Sequence, residues 1–107
     1  MWFIFPQMAG LGKSSTSHFF GIKSRAEAMG YLEHPVLGNR LMECSQILLD
    51  IEGKSASQIF GFPDDLKLKS CITLFSAVSK PESVFERVLV KYFNGQQDQK
   101  TIELLEK

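Results

Sequence analysis

The chain has no surplus of charge of either sign: twelve Lys and Arg balance twelve Asp and Glu among its 107 residues. A domain built to grip a phosphate backbone ordinarily carries a clear positive excess, so nucleic acid is not an expected partner. Long apolar runs are missing as well. The opening Met1-Trp2-Phe3-Ile4-Phe5 stops at Pro6 and Gln7 and has no basic flank. It is far short of the roughly 20 apolar residues that a spanning helix needs, so neither a membrane nor export is expected. The expected location is the cytoplasm. Cysteine is scarce, and Cys44 and Cys71 form no Cys-x-x-Cys pair, which excludes a disulfide framework and a thiolate zinc site. The two histidines, His18 and His34, are too isolated for a His-based metal site, and no cofactor is implied. There is no Gly-x-Ser-x-Gly elbow and no Ser-His-Asp grouping.

What is present is helix punctuation. At 44% hydrophobic, the chain can bury one core, and its length suits a single domain over 1–107. Residues 1–23 are irregular, with a loop of glycines and small hydroxyls through Gly10, Gly12, Ser14 and Ser17 and a short turn at His18-Phe19-Phe20. Ser24 with Glu27 reads as a capping box opening a helix through Ala28 and Leu32, which Pro35 ends. Leu37, Leu41, Cys44, Leu48 and Ile51 follow at helical spacing and share one face, with Gly53 closing that helix. Ser55 and Gln58 repeat the capping box ahead of a short turn. Pro63-Asp64-Asp65 begins a helix whose core stripe is Leu68, Cys71, Ile72, Phe75 and Val78. A further helix from about Glu82 turns Val84, Phe85, Val88, Leu89, Tyr92 and Phe93 inward and stops at Asn94-Gly95. Asp98 caps a last helix holding Ile102 and Leu105. No stretch alternates with period two. The pattern predicts an all-α bundle of five to six helices.

Gly10-Leu11-Gly12-Lys13-Ser14 imitates the end of a phosphate-binding loop, but the glycine required five positions before Gly12 is Gln7. Pro6 also interrupts the strand that should feed such a loop, so this is a false match. Among the remaining polar residues, His34 precedes Pro35 and is expected to cap the end of the preceding helix or to act in a polar site. Arg40 and Glu43 are three apart and are expected to pair locally. Lys67 reads as a solvated charge or a ligand. Trp2 reads as core or as a stacking wall for a planar ligand.

Two blocks carry a family resemblance. Trp2-Phe3-Ile4-Phe5-Pro6-Gln7, then Gly10 to Ser14 and Phe20-Gly21-Ile22, form the first. Leu32-Glu33-His34-Pro35-Val36-Leu37-Gly38-Asn39-Arg40-Leu41, followed by Ile59-Phe60-Gly61, Asp64 to Leu68 and Thr73-Leu74-Phe75, form the second. Together they resemble the bacterial domain-of-unknown-function family 1810 along essentially the whole chain. The resemblance implies a compact multi-helical domain and no assigned activity. Members of that family carry an amphipathic helix ahead of the tryptophan, so the resemblance also implies a chain shortened at its start. Apolar surface is then expected to be exposed near Trp2, Phe3 and Phe5.

Three functions compete, and whether the chain is an enzyme stays open. In the first, Trp2, Gln7, Ser14, His34, Arg40 and Lys67 converge on a pocket for an anionic small molecule such as a nucleotide or ADP-ribose derivative. The helical rhythm of the C-terminal half also resembles the ADP-ribose-processing NADAR glycosidases, without their catalytic motifs. A deep cleft holding Trp2, Arg40 and a carboxylate such as Glu43 is its mark. In the second, the domain is a non-catalytic interaction module, marked by scattered polar residues and an exposed apolar groove. In the third, the signature residues, Gly12, Gly38 and Gly61 among them, only hold helices and loops together.

Overall fold

Each helix start is written into a side chain. In the computed structural model, which describes residues 5–8 and 21–106, α1 spans Arg25–Glu33 and opens on Ser24, whose hydroxyl accepts from the Glu27 amide. The Glu27 carboxylate reaches back to the Lys23 amide rather than to that of Ser24, so the expected box closes one residue early. Helix α2 spans Leu37–Asp50, and α3, Ala56–Phe60, opens on a complete Ser55–Gln58 capping box. Helix α4, Asp64–Ala77, starts directly after Pro63 with Asp64 and Asp65 at the positive end of its dipole. Helix α5, Val84–Phe93, is capped by Ser83, and α6, Gln99–Leu105, by Asp98. The Gly10 to Ser14 loop, the His18–Phe20 turn and the opening Met1–Ile4 lie outside the described residues.

The described residues contain no named strand. Their extended backbone is a lone parallel bridge between Met8 and Ile22, where the Ile22 amide donates to the Gln7 carbonyl at 2.7 Å. The fold is all-α, as the punctuation predicts.

The core centres on α4. Leu68, Cys71, Ile72, Leu74 and Phe75 are fully buried, and so is Thr73 between them. That is wider than the expected stripe, because helices pack on several sides of α4 and leave its second half no solvated face. Tyr31 of α1, Phe75 of α4 and Phe85 of α5 form an aromatic column with ring centres 5.6 and 5.8 Å apart. Thr73 accepts from the Asp98 amide at 2.9 Å, while Asp98 accepts from the amide and hydroxyl of the buried Thr101. The cap of α6 is thereby anchored to the middle of α4.

The turn between α1 and α2 is tight. A methyl group on Gly38 would sit 2.0 Å from the Leu32 carbonyl oxygen, so only glycine lets the two helices approach this closely. At the far end of α5, Asn94 and Gly95 take left-handed backbone, and the Gly95 amide returns to the Leu89 carbonyl. Lysine 91 and Tyr92, in the last turn of α5, donate to the carbonyls of Leu49 and Ile51 and of Leu48, tying down the end of α2. Arg25 does the same for α4 by donating to the Ala77 carbonyl at 3.2 Å.

Of the three residues near which exposed apolar surface is expected at the start of the chain, only Phe5 is described. Phe5 is buried, 5% exposed, because its ring meets Phe60 edge-on at 6.1 Å. Trp2 and Phe3 lie outside the described residues.

Candidate functional site

The sequence-nominated polar residues have separate surroundings. Gln7 is buried beside the Met8–Ile22 bridge. His34 is exposed, and its Nδ1 accepts from the amides of Val36 and Leu37 at 3.2 and 3.1 Å. The imidazole therefore caps the start of α2 and not the end of α1. The α1 end is closed instead by the His34 backbone amide on Gly30 and Tyr31. Lys67 pairs with Asp64 at 3.5 Å within the first turn of α4. Arg40 is exposed on α2, and the expected pair with Glu43 does not form. Trp2 and Ser14 lie outside the described residues.

Near Arg40 lies an unusual hydroxyl. The Tyr31 hydroxyl is buried and has no hydrogen-bond partner among the described residues. Burial pushes its pKa up, with Cys71 adding to the rise and the Arg40 guanidinium opposing it. The two thiols themselves are free, and burial pushes that of Cys71 well above its usual range. Such a thiol is a small hydrophobe and not a nucleophile.

A second arrangement is larger and joins several elements. An open groove of about 590 Å³ runs between α2 and the first turn of α5, closed at one end by Leu32 of α1. Its apolar lining comes from Leu32, Met42, Val84 and Phe85, and its polar lining from Asn39, Glu43, Gln46 and Arg87. Adjoining it is a hollow of about 360 Å³ lined by Met29, Leu32, Glu33, Val78, Ser79 and Lys80. Leu32 and Ser79 border both, so groove and hollow lie side by side as two parts of one depression. Met29 and Met42 are each nearly half exposed here, at 46% and 47%. Exposed methionines, one lining the hollow and one the groove, are a feature of adaptable binding surfaces.

Of the groove's polar lining, sequence reading named Glu43, both as a local partner of Arg40, a pairing that is absent, and as the carboxylate of a ligand cleft; it read Leu32, Val84 and Phe85 as helix or core positions. Met29 and Met42 offered the available signal, since each falls outside the inward stripe of its helix. Arg87 carried none, because one arginine on an amphipathic helix is ordinary.

Among the described residues, no three of His, Cys, Asp and Glu cluster as metal ligands, and no helix is long and apolar enough to cross a membrane.

The comparisons with known proteins agree with the geometry on fold and are silent on chemistry. The family described as "Protein of unknown function (DUF1810)" matches residues 1–105. The crystal structure of the conserved hypothetical protein Rv1873 from Mycobacterium tuberculosis is similar at 44% identity with a TM-score of 0.95, over 99% of this chain and 76% of that one. No curated protein matches the chain. The match along nearly its whole length makes the chain a member of the DUF1810 family.

Proposed function

We propose that the domain is a non-catalytic interaction module whose groove between α2 and α5 receives an apolar segment of a protein partner. The observation that carries this reading is the groove and the hollow beside it, lined by Leu32, Val84 and the half-exposed Met29 and Met42. Its openness to solvent suits a segment laid along a surface better than a small molecule, which is normally enclosed over most of its area. The scatter of Gln7, His34, Arg40 and Lys67 over unrelated local tasks supports the same reading.

Amide chemical shifts during titration with helical peptides bearing one apolar face provide the test. Perturbations are expected at Leu32, Met42 and Val84, and are expected to vanish in Met42→Lys. Perturbations spread evenly over the surface, or none, would sink the reading.

A second reading, a domain that binds a nucleotide or ADP-ribose-like anion, rests on Tyr31 and Arg40. A buried hydroxyl without a partner among the described residues, near a guanidinium, is chemistry that an anionic group can satisfy. Under that reading, ADP-ribose or NAD raises the melting temperature, and Tyr31→Phe and Arg40→Ala abolish the rise.

A further inference from the structure

The depression is charged differently along its two sides. Its acidic residues, Glu33 and Glu43, come from α1 and α2. Its basic residues, Lys80 and Arg87, come from the loop after α4 and from α5. Glu82, just before α5, and Glu86, on α5, line a further hollow of about 300 Å³ that Arg87 also borders, and neither of them lines the groove. Glu86 is further occupied there, since its carboxylate accepts from the Glu82 amide at 2.6 Å. Among the charged residues that line the depression, those on α1 and α2 are thus acidic, and those on α5 and in the loop before it are basic.

Resting on the interaction reading above, we infer that the groove recognises an amphipathic helix of mixed charge: an apolar stripe flanked by basic residues on one side and acidic residues on the other. A helix is the segment whose apolar stripe and two charged flanks occur together at fixed angles, with anchors at i, i+3 or i+4, and i+7. Laid in the groove, its basic flank meets Glu33 and Glu43 and its acidic flank meets Lys80 and Arg87. A helix with both flanks of one sign has one flank facing like charge. The two sides therefore select against uniformly charged helices as well as for mixed ones.

Three synthetic helical peptides with the same leucine stripe test this by fluorescence anisotropy against the full chain. One carries Lys on one flank and Glu on the other, one carries Lys on both, and one carries Glu on both. The mixed peptide is expected to bind about threefold to tenfold more tightly than either of the others, the range that a few exposed ion pairs supply. The advantage should fade as salt is raised. Glu43→Lys puts a basic residue on the acidic side and should move the preference to the Glu peptide, while Arg87→Glu puts an acidic residue on the basic side and should move it to the Lys peptide. Both side chains are exposed, and unchanged melting curves would show that the variants remain folded. If either variant unfolds, the salt series on the unsubstituted protein decides. Binding of all three peptides with equal affinity would overturn the charge inference while leaving the groove as a docking site. No binding of any would remove the docking site itself.

Discussion

Helices α2 and α4 have the same length, 14 residues each, and similar shares of apolar side chains, yet one is a surface and the other an interior. In α4 the unbroken run from Ser70 to Phe75 is buried. In α2 the buried residues are Gly38, Leu41, Ser45 and Leu48, one face only, and Met42 and Ile47 remain about half exposed. The difference lies in where the polar residues fall. Asn39, Glu43 and Gln46 recur on the outer side of α2, whereas the only polar residues in the second half of α4 are small ones. The hydroxyls of this stretch find partners inside: Ser70, at the middle of the helix, donates back to the Leu66 carbonyl at 3.2 Å, and Thr73 accepts from the Asp98 amide. A helix whose hydroxyls can be satisfied inside can be surrounded. One carrying amides and carboxylates must keep a side in water, and that side is available for partners.

The comparison breaks most visibly under truncation. Phe75→Ala removes the middle ring of the aromatic column and should cost about 3–5 kcal/mol in denaturant unfolding. Met42→Ala on α2 should stay within about 0.5 kcal/mol, since its side chain is half exposed. Similar losses at the two positions would mean that α2 is as embedded as α4. Next comes Gly38→Ala, which drives a methyl group into the Leu32 carbonyl and should cost about 2–3 kcal/mol. Gly30→Ala, with nothing near its added methyl, should instead be neutral or stabilising by some tenths of a kcal/mol to about 1 kcal/mol. Tyr92→Phe, which frees the Leu48 carbonyl at the end of α2, should cost about 1 kcal/mol. Hydrogen exchange should then quicken in the last turn of α2 and nowhere in α4.

Helix existence was legible wherever a cap and a stripe coincided, as at Ser55 with Gln58, Asp98 with Thr101, and Asn94 with Gly95. It was less legible where the deciding contact crosses between elements. Periodicity marked Cys71, Ile72 and Phe75 as core but could not show that Leu74 and Thr73 are enclosed too, because that depends on helices packed against the other side of α4. The role of His34 was misread for a similar reason. An imidazole between two helices can serve either terminus, and the fold of the Pro35 turn aims Nδ1 at the amides of α2. Phe5 was expected near exposed apolar surface and is itself buried, because Phe60, its partner, lies 55 residues further along the chain. The groove was the least legible feature. Its lining comes from α1, α2, the 79–83 loop and α5, four segments that no local pattern joins.

Helix α5 is a rigid caliper. Its first turn supplies Val84 and Arg87 to one jaw of the groove, and its last turn, through Lys91 and Tyr92, grips the end of the helix that forms the other jaw. The spacing between the jaws is therefore tied to the contacts by which the last turn of α5 holds the end of α2. A partner entering such a gap finds it already open at its final width and need not spend binding energy on holding it there.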